Sequence, residues 1–150
     1  MAAPDLRPRE KGDADWLRSY NQKGLGKRHA RILDVNRHGA VHVVRTIPEE
    51  LCHDEAPKQL RSELEKVLAD GDVRQLVVDL SSVNYIGSAV VGTMLWLNQA
   101  VGARAGKVHL CGVHWRVHEL FELCQLYRLI PAHPRVEEAV EAAKVQKGEG

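Results

Sequence analysis

Residues 77–95 read VVDLSSVNYIGSAVVGTML and combine two patterns that are typical of an α/β fold. The apolar run at 76–80 predicts a central strand that is covered on both faces. A polar turn follows it, and from Ser88 to about Ala103 apolar residues surround most of the helix axis, which predicts a largely buried helix. Ser88 is therefore expected where backbone N–H groups without helical partners favour a bound or attached anion such as phosphate.

Strand and helix patterns alternate on both sides of this stretch. Residues 31–36 and 40–47 predict a hairpin, and apolar residues at helical spacing predict an amphipathic helix at 54–69. Further along, the predicted elements are a strand at 108–113, a helix at 115–123, a strand at 128–130 and a helix at 136–145. The order ββαβαβαβα predicts an α/β domain with a mostly parallel sheet, flanking helices and a first strand that is antiparallel to the second.

The same patterns predict which side chains form the core. Each candidate lies on the apolar side of its element or in a continuous apolar run. The predicted core residues are Leu64, Val78, Leu80, Leu95 and Leu120.

Composition limits the function classes. The chain has 150 residues, of which 44% are hydrophobic and 27% charged, as expected for an ordinary globular domain. The net charge of +1 gives no argument for binding nucleic acid or a membrane surface. No apolar run approaches the roughly 20 residues of a membrane span, and the N-terminus has no signal-peptide pattern. We therefore predict a cytoplasmic protein that neither binds nucleic acid nor inserts into a membrane.

The first 28 residues differ from the rest. They are rich in Pro, Gly and basic residues and contain few β-branched side chains, which predicts a flexible N-terminal extension at 1–28. The folded domain is predicted at 29–145, with a short C-terminal tail at 146–150. Trp16 and Tyr20 are four residues apart, and an alternative is that they share one face of a short helix that docks on the domain.

The cysteines and histidines do not show metal-site spacing. Cys52, Cys111 and Cys124 are far apart in the sequence and form no CxxC pair, which favours reduced thiols. His114 and His118 are four residues apart and could bind a metal from one helix face, but no HExxH pattern accompanies them. A solvated helix face is the better interpretation, and no metal or cofactor is expected.

The sequence also lacks two motifs that are typical of enzymes, the phosphate-binding loop and the nucleophile elbow. Residues 24–27 read GLGK but lack the spacing of a phosphate-binding loop and follow no strand. No GxSxG elbow surrounds any of the serines. The sequence therefore favours a non-enzymatic protein over a small α/β enzyme or a nucleotide-binding protein.

The order of elements and four motifs resemble the STAS domain, the module of sulfate-transporter tails and bacterial anti-sigma-factor antagonists. Val77 to Val83 resembles the family's strand that ends in Asp-Leu-Ser, and Tyr85 to Gly92 resembles its phosphoacceptor loop and helix start. The stretches 106–110 and 123–129 resemble its next strand and the entry to its last helix. The resemblance covers about residues 29–145.

This resemblance implies a function and a site. In antagonists of the family, a partner anti-sigma kinase phosphorylates a Ser or Thr in this loop, and phosphorylation releases the partner. Ser88 matches that phosphoacceptor by position. Gly87 stands where the family usually has Asp, and Ala89 and Val90 stand where it usually has Ser or Thr followed by Gly. The residues that the resemblance places on the partner surface are Asp79, Ser81, Ser82, Asn84, Gly87 and Ala89.

Several alternatives stay open for these residues and for the function. Ser88 is equally explained as a helix N-cap, and Asp79 is better explained as an acceptor for backbone N–H groups of the next turn. The leading hypothesis is a regulatory interaction module that binds an anti-sigma factor or a serine-kinase-like protein. The alternatives are an accessory STAS subunit of a membrane transport complex and a scaffold that is not phosphorylated.

Overall fold

The computed structural model describes residues 31–149, with side chains to residue 145. The predictions for residues 1–28, including the helix around Trp16 and Tyr20, lie outside the described residues. The strands are β1 (Leu33–His38), β2 (Val41–Thr46), β3 (Glu50–Leu51), β4 (Gln75–Asp79), β5 (Tyr85–Ile86), β6 (Lys107–Cys111) and β7 (Ala132–His133). The helices are α1 (Ala56–Leu68), α2 (Ser88–Gly102), α3 (Trp115–Leu123) and α4 (Val136–Glu149), with a 3₁₀ turn at Leu126–Arg128.

The main sheet has five strands in the order β1-β2-β4-β6-β7. Strand β1 is antiparallel to β2, and every other neighbouring pair is parallel. A two-residue turn joins β1 to β2, and Gly39 in that turn has a φ of +67°, a left-handed conformation that glycine adopts without a Cβ penalty. The predicted α/β fold class and the antiparallel first strand are confirmed.

The central strand β4 is buried on both faces, as its apolar run predicts. Its alternating side chains contribute to two separate hydrophobic clusters: Val78 packs in the larger one, and Val77 packs in the smaller one. The larger cluster contains residues of α1, α2 and α3, and the smaller one contains residues of α4. The sheet is therefore sandwiched between helices, which is the arrangement that parallel strands require.

Three of the five predicted core residues are fully buried. Leu64, Val78 and Leu80 have at most 2% of their surface exposed. Leu120 is only half-buried and packs against the edge of the larger cluster.

The prediction that Leu95 is a core residue is wrong, since 37% of its surface is exposed. Helix α2 is apolar almost all round, so its sequence pattern does not show which side faces the sheet. Residues three or four apart lie on the same side of a helix, and the side that α2 buries is offset from Leu95. The buried residues on that side include Val90, Met94, Leu97 and Val101.

The predicted strand at 128–130 is also wrong. The chain forms a 3₁₀ turn at Leu126–Arg128, and the edge strand is Ala132–His133 instead. Pairing with β6 begins at Pro131, whose carbonyl accepts a hydrogen bond from the N–H of Leu110 at 2.8 Å. A strand of two residues has no alternation of polar and apolar side chains, so no pattern could have identified it.

We expect acid to destabilise the protein through His42. This side chain is 5% exposed, and its Nδ1 has no hydrogen-bond partner within the described part of the chain. Burial, and next the nearby Arg37, lower the pKa of His42 below its usual 6.5, although Asp70 and Asp72 act in the opposite direction. The unfolded chain therefore binds a proton that the folded chain resists, so stability is full above pH 6.5 and falls as the pH drops below it.

Urea unfolding of the wild type and of His42→Leu between pH 7.5 and 5.5 tests this expectation. As the pH drops, the free energy of unfolding should fall less steeply in the variant than in the wild type. Leucine at residue 42 cannot take up a proton when the chain unfolds. Equal slopes for the two proteins would show that His42 does not contribute. His38→Leu, at an exposed position on β1, serves as the control for removal of a histidine.

Candidate functional site

Ser88 is held at the surface by a small second sheet. Strands β3 and β5 pair in parallel, and the N–H of Gly87 continues this pairing by donating to the carbonyl of Leu51 at 2.9 Å. Gly87 is the N-cap of α2, so Ser88 is the first residue of the helix, and it is exposed. The prediction that Ser88 lies at the exposed start of this helix is confirmed, and the alternative that it is the N-cap is wrong.

The residues that follow Ser88 fix the helix in the core. Val90 and Val91 are buried, and the N–H of Val90 donates to the carbonyl of Gly87 at 3.0 Å. The N–H of Asn84 donates to the carbonyl of Glu49 at 2.8 Å on the other side of the loop. A charge added to Ser88 therefore changes the surface without entering the core.

A cavity of about 250 Å³ lies beside Ser88. It is formed where the loop after β3 faces the start of α2. Sequence reasoning missed the part of its wall that comes from the loop, because strand β3 is too short to have a periodic pattern. The lining residues are Leu51, Cys52, His53, Asp54, Pro57, Gly87, Ser88, Ala89 and Val90.

The glycine before Ser88 is not required by the backbone. Gly87 has φ −84° and ψ 160°, which is an extended conformation open to any residue. A Cβ atom at this position would lie 3.6 Å from the Cα of Cys52, an ordinary van der Waals distance. An aspartate, the residue that the family usually has here, is therefore compatible with the loop.

Asp79 organises the turn that follows the central strand. Its Oδ1 accepts a hydrogen bond from the N–H of Ser81 at 2.9 Å, which confirms the interpretation of Asp79 as an acceptor within the turn. Ser81 packs closely on Gly112, where an added Cβ would lie 2.8 Å from the Cβ of Ser81. Since Gly112 also has a φ of +68°, both its conformation and this contact require glycine.

The predicted site residues fall into two groups. Gly87, Ser88 and Ala89 line the cavity at the start of α2, whereas Asp79, Ser81, Ser82 and Asn84 are not among its lining residues. Within the second group, Ser82 Oγ accepts a hydrogen bond at 3.2 Å from Arg45, which also forms an ion pair with Asp34 at 2.6 Å.

The three cysteines are free, and their surroundings differ. Cys111 is buried, and burial together with the neighbouring Asp79 raises the pKa of its thiol to about 12. Cys52 and Cys124 are exposed, and Cys52 lines the cavity beside Ser88. Burial, and next the Glu50 carboxylate, raise the pKa of the Cys52 thiol above its usual value.

We expect iodoacetamide to label the native protein at Cys124 and Cys52 but not at Cys111. The thiolate is the reactive form of cysteine, and Cys111 is both inaccessible and protonated at neutral pH. Peptide mass spectrometry after a timed reaction identifies the labelled sites. In urea all three should react, and labelling of Cys111 in the native protein at the rate of Cys124 would contradict its burial.

The two histidines that could have formed a metal pair have other partners. The Nδ1 of His114 accepts a hydrogen bond from the N–H of Arg116 at 3.2 Å and so caps α3. The Nδ1 of His118 lies 3.0 Å from the hydroxyl of Tyr127. Over residues 31–149, no three His, Cys, Asp or Glu side chains converge in a way that could hold a metal ion.

No helix in the described part of the chain is both long enough and apolar enough to cross a bilayer.

Comparison with known proteins gives consistent results. The model of the STAS domain family matches residues 33–139. An anti-sigma F factor antagonist from Paenibacillus polymyxa is 21% identical over 101 residues, which cover 67% of this chain and 85% of the relative. The solved structure of an anti-sigma factor antagonist from Mycobacterium paratuberculosis superposes with a TM-score of 0.66 at 25% identity, over 75% of this chain and 92% of that one.

A third similar protein is the Bacillus cell fate determinant SpoIIAA in its phosphorylated form. Its structure superposes with a TM-score of 0.57 at 21% identity, over 73% of this chain and 97% of that one. The family match spans well over half of the sequence and includes both β4 and the Ser88 loop. The chain belongs to the STAS domain family and has the fold of the anti-sigma factor antagonists, which are regulatory protein-interaction modules.

Proposed function

We propose that this protein is an anti-sigma factor antagonist that binds an anti-sigma factor or serine-kinase-like partner and is released when Ser88 is phosphorylated. The observation that carries the proposal is the position of Ser88: exposed, at the first residue of α2, and held by the pairing of β3 with β5. A phosphate of about −1.5 to −2 charge is favoured there by the helix dipole. The partner surface comprises Ser88 with Asp79, Ser81, Ser82, Asn84, Gly87 and Ala89.

Binding, rather than catalysis, is the activity we assign to this surface. Members of the antagonist family are generally non-enzymatic binding modules, and the phosphate is supplied by the partner and its nucleotide. Asp54 lines the same cavity as Ser88, so an acidic residue shares the cavity with the candidate acceptor even though residue 87 is glycine. Asp54 therefore joins the residues that a kinase would meet.

The proposal is tested by affinity capture with matched baits. The full chain, Ser88→Ala and Ser88→Glu are immobilised separately, and captured proteins are identified by mass spectrometry. We expect the first two baits, but not the third, to retain a protein with an ATP-binding kinase domain. That protein with ATP should then phosphorylate the wild type at Ser88 and leave Ser88→Ala unmodified. A transporter captured equally by all three baits would instead support the transport-complex alternative.

An aspartate at residue 87, where the family usually has one, should make Ser88 a better substrate for the kinase. We expect Gly87→Asp to raise the rate of Ser88 phosphorylation by the captured kinase about tenfold, the equivalent of one charge-assisted contact of about 1.4 kcal/mol. The variant should also be more stable than the wild type by about 0.3 kcal/mol, because Asp is a slightly better N-cap than Gly.

Gly87→Ala is the control for this variant. Its Cβ fits as well as that of Asp, but alanine neither caps the helix nor carries a charge, so we expect lower stability and no gain in rate. Urea unfolding and a phosphorylation time course give the two quantities. Equal rates for Gly87→Asp and Gly87→Ala would show that an acid at 87 has no part in recognition by this kinase.

A further inference from the structure

A second and larger cavity, of about 480 Å³, lies beside β6 and β7 at one edge of the main sheet. Its size is within the range of small-molecule sites, and its walls combine apolar residues with a few polar groups, as such sites do. None of its residues lines the Ser88 cavity. It is lined by Val113, His118, Tyr127, Pro131, Ala132, His133 and Pro134.

The position of this cavity in the fold is one where ligands commonly bind. Val113 follows the end of β6 by two residues, and His133 is the last residue of β7. The cavity is therefore at the carboxyl ends of two neighbouring parallel strands. Residues on loops that a rigid sheet positions in this way are frequently binding residues.

The polar groups of the cavity are hydrogen-bond donors or can become donors. Burial, and next the Glu122 carboxylate, raise the pKa of Tyr127 to about 12, so its phenol keeps its proton at neutral pH. The Tyr127 hydroxyl lies 3.0 Å from His118 Nδ1, and when that nitrogen donates, the phenol proton is available to a ligand. Glu122 lies 3.8 Å from the other ring nitrogen of His118.

His133 adds a third polar group and is itself held in place. Its Nε2 lies 3.1 Å from the Nδ1 of His109, a residue with only 2% of its surface exposed. The second ring nitrogen of His133 takes no part in that bond. The lining residues include no carboxylate, and Glu122, which is outside this set, faces Nε2 of His118 at 3.8 Å. The donors that face the cavity therefore favour an acceptor-rich ligand.

We infer that this cavity binds a small organic anion, with the charged group, a carboxylate or a phosphate, at Tyr127 and His133 and the apolar part against Pro131 and Pro134. His118 orients the Tyr127 phenol toward the ligand. The ligand site is separate from the Ser88 surface and does not depend on the function proposed above. Through this site, a small metabolite with a carboxylate or a phosphate can bind to a protein-interaction module.

Three probes of similar shape test the inference on the full chain at pH 7. Benzoate carries a carboxylate, phenyl phosphate carries a phosphate, and benzyl alcohol has the same ring without a charge. We expect at least one anion to bind in calorimetry and in ¹H–¹⁵N NMR titration, with the largest shifts at the residues that line the cavity. Comparison of benzoate with phenyl phosphate distinguishes the two anionic groups.

Two variants and one control assign the binding to the polar groups. Tyr127→Phe keeps the ring, whose edge-on contact with Phe121 has a centroid distance of 6.0 Å, and removes only the hydroxyl. We expect it to weaken anion binding about tenfold, as for the loss of a hydrogen bond to a charged group. His118→Gln should weaken binding by up to the same factor, because the phenol loses the partner that orients it. His38→Gln, on the exposed β1 strand at the other edge of the sheet, should bind as the wild type does.

Three results would overturn the inference. The first is equal affinity for benzyl alcohol and the anions, which would indicate an apolar cavity without anion selectivity. The second is no binding of either anion up to about 10 mM, weaker than a specific site of this kind. The third is a set of NMR shifts centred on the Ser88 cavity, which would place the anion at the phosphoacceptor instead.

Discussion

Replacing Gly106 with alanine is expected to destabilise the protein by about 3 kcal/mol, the upper part of the range for overpacking. A Cβ at this position would lie 2.1 Å from the carbonyl oxygen of Arg74 and 2.8 Å from a methyl carbon of Val101. That carbonyl also accepts the hydrogen bond of the Lys107 N–H at 2.8 Å, where the parallel pairing of β4 with β6 begins. The added methyl group must therefore separate β4 and β6, two inner strands of the sheet, at the end where their pairing begins.

Gly92→Ala provides a matched control for this substitution. Gly92 lies within α2, is exposed, and an added Cβ would meet no atom within 4 Å. Alanine is favoured over glycine in a helix by about 1 kcal/mol, so this variant should be more stable than the wild type. Urea unfolding of the three proteins, compared at equal m-value, measures both effects. A loss below 1 kcal/mol at Gly106 would show that the strands tolerate the added methyl group.

The sequence was sufficient to predict the elements that have a repeating pattern. The apolar run of β4 and the spacing of Leu60, Leu64 and Leu68 in α1 reflect burial over several residues, so local pattern and tertiary environment agree. The hairpin was predicted because residues 37–39 separate two β-rich runs, and the observed two-residue turn includes Gly39. The resemblance to the STAS family was based on stretches with such patterns. It was therefore confirmed even though Gly87 replaces the family's usual aspartate before Ser88.

The sequence was insufficient where an element is short or apolar on all sides. Strands β3, β5 and β7 have two residues each, and their pairing depends on neighbours that are distant in the chain. In α2, the apolar surface is nearly continuous, so only the packing of the helix on the sheet decides that Leu95 is exposed. The wrong strand at 128–130 and the wrong burial of Leu95 have the same cause. In both cases tertiary packing, and not the local sequence pattern, decides the structure.

The candidate site divides in the same way. Ser88 was placed correctly at the start of a helix, and Asp79 at the end of a strand, where it accepts a hydrogen bond from the next turn. Both positions follow from the elements beside them. The cavity wall formed by Cys52, His53 and Asp54 was not predicted. These residues reach Ser88 only through the pairing of β3 with β5, which leaves no local signal in the sequence.

Ser88→Glu is expected to weaken binding of the partner by more than about 100-fold, provided that the partner covers Ser88 as proposed. A carboxylate buried in a contact without a matching cation costs several kcal/mol, and about 2.7 kcal/mol already corresponds to a factor of 100. Ser88→Ala should bind as the wild type does, because no hydrogen bond of the Ser88 hydroxyl occurs among the described residues. Calorimetry with the captured partner measures the three affinities.

Ser62→Glu is the control for adding a carboxylate to an exposed helix position. Ser62 lies on α1 and outside the Ser88 cavity, so the same change of charge there should leave the affinity within about twofold, as for charges distant from a contact. Equal loss at both positions would indicate a general effect of net charge. Equal affinities of Ser88→Glu and the wild type would contradict the proposal that a charge at Ser88 releases the partner. The fold assignment would be unchanged.

The stability of Ser88→Glu makes this test decisive, because its expected change has the opposite sign to the change in binding. A negative charge in the first turn of α2 interacts favourably with the helix dipole by about 0.3–1 kcal/mol, and neither Glu nor Asp occupies that turn in the wild type. The variant should therefore unfold at a higher urea concentration than the wild type while it loses its partner. Loss of binding by a more stable protein cannot result from unfolding, so it would assign the effect to the surface at Ser88.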